Sequence, residues 1–151
     1  MKAKIENIDI KNNLKNKVEK ITEARVLVIG DLMLDKFTYG DVIRISPEAP
    51  VPVLHVNHEE SYLGGAGNVA RNISALLENS YKGKVGIIAV IGKDKSTDSI
   101  IEEMNRCNIS KAGIITDESR KTITKTRIVA GNQQIVRIDE ENTSPFSKSI
   151  Y

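Results

Sequence analysis

Two short, unbroken apolar runs constrain this chain most. Residues 25–30 read Arg-Val-Leu-Val-Ile-Gly, and residues 84–91 read Lys-Val-Gly-Ile-Ile-Ala-Val-Ile. A run this short, with no polar alternation, suits a strand buried on both faces, as in a parallel sheet. Two helical patterns accompany them. Val69, Ile73, Leu76 and Leu77 mark a helix over 67–77, and Ile100, Ile101, Met104 and Cys107 mark another over 97–107. A short strand is expected over 112–115. Strands alternating with helices predict an α/β fold with a mainly parallel sheet.

Residues 40–57 change character, with Pro47, Pro50 and Pro52 set among Val, Ile and Leu. Proline cannot donate to a ladder, so edge strands and turns projecting from the core are expected. Residues 121–129 and 133–139 read as a hairpin around Ala130-Gly131-Asn132. These segments predict a smaller β layer beside the main sheet. At the start, Ile8, Leu14, Val18 and Ile21 recur at roughly helical spacing, which predicts an amphipathic helix over about 8–23. The expected organisation is thus an N-terminal helical segment (1–23), a domain (24–141) and a polar tail (142–151).

Composition narrows the function classes. The chain has 151 residues, which is one ordinary domain. Hydrophobic residues at 40% and charged residues at 28% exclude wholesale disorder. Twenty-two basic against 20 acidic residues leave a net charge of +2, which makes no case for a nucleic-acid or membrane-surface partner. One cysteine, Cys107, excludes an intrachain disulfide framework. The longest apolar run, 87–91, is far short of the roughly 20 residues of a membrane span. The first 20 residues carry no continuous apolar stretch of a secretory kind. A cytoplasmic location is expected.

The most informative motif is Gly64-Gly65-Ala66-Gly67-Asn68-Val69-Ala70-Arg71-Asn72. Glycines let a ligand or another backbone approach closely, and a helix start offers free N–H groups. Asn68 presents a donor and an acceptor, which suits a sugar hydroxyl. The glycines alone fit a tight turn into a helix equally well. The spacing is not that of a dinucleotide fingerprint, and no ordinary strand is expected immediately before it. Gly86 to Lys93 fails as a phosphate loop, because five residues separate the glycines and Asp94 stands where Ser or Thr belongs.

Gly30-Asp31-Leu32-Met33-Leu34-Asp35 places two carboxylates at the end of the first strand, where open α/β sheets bind ligands. Asp31 either accepts hydroxyl hydrogen bonds or turns the chain; Asp35 either binds or begins a solvated loop. Lys125 and Arg127 lie two apart on a strand and so share a face. With Arg137 they form either an anion site or a solvated basic face. His55 and His58 lack the companions of a metal site.

Together these segments resemble the ribokinase-like (PfkB) carbohydrate kinases. Gly64, Gly65, Ala66, Asn68 and Ala70 match that family's first signature, and Val90-Ile91-Gly92-Lys93-Asp94 is similar to its following strand and Gly-X-Asp turn. The stretch 78–84 departs from the family's usual short connection. Within the family, Gly30 to Asp35, Tyr39 to Val53 (with its Ile-Ser-Pro-Glu-Ala-Pro-Val-Pro string) and Leu63 to Asn72 resemble the heptose 7-phosphate kinase domains of ADP-heptose synthases. Lys125-Thr126-Arg127 and Asn132 to Glu140 are similar to the later hairpin of those domains.

The resemblance implies the N-terminal half of a three-layer ribokinase-like fold with a small β lid. It implies ATP- and Mg²⁺-dependent phosphorylation of D-glycero-β-D-manno-heptose 7-phosphate at its anomeric hydroxyl, toward ADP-heptose and the lipopolysaccharide core. It assigns Asp35, Gly64, Gly65 and Asn68 to sugar hydroxyls, Asp31 as a further candidate, and Lys125 and Arg127 to the sugar's phosphate. The lid strands, about 40–57 and 121–139, are implied to cover the sugar and to join two copies. The family's general base comes from a Gly-Ala-Gly-Asp motif in its second half, and no Gly-X-Gly-Asp string follows Asn68 here. The chain on its own is therefore expected to hold ATP and Mg²⁺ only weakly, to be inactive as a kinase, and to need a complementing C-terminal half. The alternatives are another sugar kinase of the family, or a non-catalytic fragment for sugar binding or dimerisation.

Overall fold

The computed structural model describes residues 13–18, 20–21, 23–77, 84–146 and 150. The expected N-terminal helix lies partly outside them; residues 13–18 are helical, with Leu14 and Val18 exposed. The chain then runs β1 (Val26–Ile29), β2 (Leu32–Ile45), β3 (Pro52–Gly65), α1 (Ala66–Leu76), β4 (Val85–Ile91), α2 (Lys95–Arg106), β5 (Ile109–Thr116), β6 (Ile123–Ala130) and β7 (Gln133–Glu140). Two sheets form. One is parallel in the order β1-β4-β5; the other is mixed in the order β3-β2-β6-β7.

The parallel sheet packs its helices on one face. β4 buries Val85, Ile87, Ala89 and Ile91, alternating with half-buried neighbours. These side chains join Ala70 and Leu77 of the α1 region, Ile100 and Met104 of α2, and Leu32, Leu34 and Leu63 of the second sheet in one core. Burying each such aliphatic side chain contributes about 1.5–3 kcal/mol. The expectation that both runs are buried on both faces holds only in part. In β1, Leu27 is 58% and Ile29 71% exposed. The buried stripe of α1 also differs from the expected one. It runs through Gly67, Ala70 and Leu77, while Val69 and Leu76 face outward.

The second sheet is larger than the proline pattern predicts. β2 and β3 are 14 residues each and pair antiparallel, with bulges between Tyr39/Gly40 and Val42/Arg44. Pro47 and Pro50 fall at the turn, and Pro52 opens β3 opposite Ile45, the first position of a strand, where proline is tolerated. β3 runs directly into α1, so a strand does precede the glycine motif, against expectation; it is antiparallel to β2, not one leg of a dinucleotide-binding βαβ unit. β6 adds parallel to β2, and β7 returns antiparallel through Gly131 at φ 56°, as the hairpin pattern predicts.

A polar joint fixes one sheet to the other. Asp94 caps α2 by accepting from the Ser96 and Thr97 N–H groups at 2.9 and 3.2 Å, and it also accepts from Thr122 N–H at 2.8 Å. Lys36 on β2 and Thr124 on β6 both reach the Ser96 hydroxyl. Among the described residues no helix is long and apolar enough to cross a membrane.

Candidate functional site

Strand alternation builds the site. Leu32 and Leu34 of β2 turn into the core, so Met33, Asp35, Phe37 and Tyr39 occupy the opposite face. Register then sets their neighbours. One row across the sheet is Tyr62, Asp35, Lys125 and Asp139; the next is Glu60, Phe37, Arg127 and Arg137. Asp35 therefore belongs to the mixed sheet rather than to the end of β1.

Asp35 is held at one oxygen and open at the other. Arg127 Nη1 donates to Asp35 Oδ1 at 2.6 Å, with the two side chains 22% and 23% exposed. Oδ2 lies over Gly64, where any Cβ would collide with it. Gly64 thus serves by shape, making room for the carboxylate. Gly65 sits at φ 56°, ψ −129° at the start of α1, against the Asp31 carbonyl, a conformation that favours glycine. The next N–H, that of Ala66, donates to the same carbonyl at 2.9 Å. Asn68 follows on the exposed face of α1, and its amide has no hydrogen-bond partner among the described residues.

The basic residues named from sequence are neutralised. Lys125 Nζ meets Asp139 at 3.1 Å and Glu141 at 3.5 Å. Arg137 makes a two-pronged pair with Asp139 at 2.8 and 2.9 Å. Hydrogen bonds from Arg137 and then Lys125 hold the Asp139 carboxyl below its ordinary pKa. With the Asp35–Arg127 pair, three cations are matched to three carboxylates.

Asp35, Phe37, Tyr62, Leu63, Asn68 and Arg71 line a shallow depression of about 220 Å³. Its walls are aromatic. The Arg127 guanidinium lies 5.0 Å from the Phe37 ring centre, and Arg71 lies 5.5 Å from that of Tyr62. The Tyr62 hydroxyl donates to Glu60 at 2.8 Å, which raises its pKa. One open carboxylate oxygen, one open amide and flat apolar walls suit a single hydroxyl-rich ring.

Asp31 is not part of this depression. It lines a separate hollow of about 380 Å³ with Arg120, Lys121 and residues 141–146. Arg120 there is committed to Asp117 at 3.1 Å and to the Ser144 and Pro145 carbonyls. So the structure brings Asp35, Gly64 and Asn68 together, with Arg127 joined through Asp35. It leaves Lys125 beside them but occupied, and it sets Asp31 apart. Sequence reading missed Phe37, Tyr62 and Arg71. Of these, Arg71 had a signal, since it lies three residues after Asn68 and hence on the same side of a helix. Among the described residues no group of three or more His, Cys, Asp or Glu side chains is placed to hold a metal ion.

Residues 23–150 match the family model described as pfkB family carbohydrate kinase. A protein of Helicobacter pylori (strain P12) named Bifunctional protein HldE is 44% identical over 126 residues, 83% of this chain and 26% of that protein. One of the same name from Caulobacter sp. (strain K31) is 46% identical over 119 residues, 79% of this chain and 23% of that protein. The chain spans about a quarter of the length of these relatives. Among solved structures, a carbohydrate kinase from Agrobacterium tumefaciens superposes with a TM-score of 0.60 at 23% identity, covering 78% of this chain and 35% of that one. Ribokinase from Thermotoga maritima superposes with a TM-score of 0.54 at 20% identity, covering 77% and 36%. These two establish a ribokinase-like fold.

Proposed function

The chain belongs to the pfkB family of carbohydrate kinases, and from that premise we propose that it supplies the sugar-binding part of a heptose 7-phosphate kinase. The reaction proposed is transfer of the γ-phosphoryl group of ATP to the anomeric hydroxyl of D-glycero-β-D-manno-heptose 7-phosphate. The O–P bond to ADP breaks, a bond from the anomeric oxygen to phosphorus forms, and the hydroxyl proton passes to a base. The long Ile-Ser-Pro-Glu-Ala-Pro-Val-Pro string supports the heptose assignment over a generic sugar kinase. So does the name HldE shared by relatives at 44–46% identity.

The observation that carries the reading is the pairing of two open polar groups in one depression. Asp35 Oδ2 accepts a hydrogen bond from one sugar hydroxyl while Asn68 bridges its neighbour. Phe37 and Tyr62 cover the ring's apolar edge, and Arg127 keeps Asp35 aimed. Phosphoryl transfer depends mainly on such positioning, together with charge neutralisation. In this reading the magnesium ion arrives on the nucleotide. The base and the anion-stabilising groups come from a Gly-Ala-Gly-Asp segment, which these 151 residues do not contain.

The test is coupled ADP release with Mg-ATP and heptose 7-phosphate. The expected result is no turnover by these residues alone, and turnover when a polypeptide carrying the Gly-Ala-Gly-Asp part is added. Asn68→Ala should abolish the restored rate. Turnover by the chain alone would overturn the division of labour. A preference for an unphosphorylated sugar would select another member of the family.

A further inference from the structure

We propose that Arg71, rather than Lys125 or Arg127, anchors the phosphate of a phosphosugar bound in the Asp35–Asn68 depression; the inference rests on the phosphosugar reading above. The argument begins with charge. A sugar phosphate monoester carries about −1.5 to −2 charges at pH 7. It needs a cation that is not already spent. Lys125 is shared between Asp139 and Glu141, and Arg127 is bound to Asp35 at 2.6 Å. Taking either one would strand a carboxylate on the face that must receive an anion. Arg71 lines the depression and meets no carboxylate among the described residues.

Position follows. Arg71 and Asn68 lie three residues apart on α1, so they share a face with an axial rise of about 4.5 Å. A ring seated on Asn68 and Asp35 thus has Arg71 within reach of an exocyclic substituent. The Tyr62 ring, 5.5 Å from the Arg71 guanidinium, orients it without using its hydrogen-bond donors. The Tyr62 hydroxyl is itself turned to Glu60. The planar guanidinium is left to bind two phosphate oxygens at once, which an ammonium cannot do.

Titration calorimetry on the full chain tests this, with heptose 7-phosphate and the same heptose lacking phosphate as probes. The wild-type chain should prefer the phosphorylated sugar. Arg71→Gln should lose about tenfold to a hundredfold of affinity for it while keeping its affinity for the free heptose. Arg71→Lys should recover part of the loss. Arg106→Gln removes a nearby cation already bound to Glu103 at 2.6 Å, and it should keep the preference. A preference that survives in Arg71→Gln, or disappears in Arg106→Gln, would overturn the anchor and leave the phosphosugar reading standing. A wild-type chain that binds both sugars equally, or neither, would overturn the phosphosugar reading and the anchor with it.

Discussion

Asp35 shows how much one residue's function depends on a neighbour's lack of a side chain. Its Oδ2 occupies the space a Cβ at Gly64 would take, and Met33 Cγ closes the same space at 2.7 Å. Gly64→Ala should therefore displace the carboxylate and destabilise the fold by about 1–3 kcal/mol. Sugar affinity should fall in protein whose circular dichroism is unchanged; undiminished affinity would show that Asp35 is not the acceptor. Asp94 makes a different case. Burial pushes its carboxyl up, but hydrogen bonds from Thr122, Thr97 and Ser96 outweigh that and hold it below its ordinary value of 3.8. Its stabilising effect is then present above that ordinary value and fades as pH falls through the lower folded one. Asp94→Ala should cost about 1–2 kcal/mol at pH 7, from the lost helix cap. The gap between variant and wild type in urea midpoint should narrow toward pH 3. At this scale Asp35 and Asn68 were singled out through the family resemblance, and the structure places both on one depression. The neutralisation of Lys125 was not legible, because it depends on which residue of β7 lies opposite β6. The bulge between Ile128 and Val129 shifts that register in a way no local pattern announces.

At the scale of elements, the helices were readable from their period and the parallel strands from short unbroken apolar runs. The length of β2 and β3 was hidden, since the two bulges break the alternation that marks a strand. The mixed sheet they form has unusual edges. All eight residues of β7 are exposed, and Val136 and Ile138 stand on the same face of it. Apolar side chains on an open edge strand invite pairing with another copy. We expect the chain to form a homodimer through these lid strands. Sedimentation should give twice the monomer mass for the wild-type chain, and the monomer mass for a Val136→Lys, Ile138→Lys double variant whose melting temperature is unchanged. A dimer that persists in the double variant would place the contact elsewhere.

For the whole molecule, the telling feature is a parallel sheet covered on one face. Such sheets are ordinarily buried on both, because their strands are apolar throughout. Here α1 and α2 cover the face bearing Val85, Ile87, Ala89 and Ile91, while Leu27 and Ile29 on the other face are open. Register aligns Leu27 with Gly86, and Ile29 with Ile88 and then Gly113, so the open surface is continuous across the strands. An exposed apolar surface of this kind marks a docking site or a route to aggregation. The chain alone should therefore bind a fluorescent hydrophobic dye in its folded state. Leu27→Thr with Ile29→Thr should remove most of that signal at little cost in stability, because neither side chain is buried. The same surface also bears on the proposed division of labour. If the polypeptide carrying the Gly-Ala-Gly-Asp part docks here, dye release and ADP formation should appear at the same stoichiometry, and the double variant should lose both. Activity that appears while the dye stays bound would mean that the groups of that polypeptide reach the Asp35–Asn68 depression from the lid side.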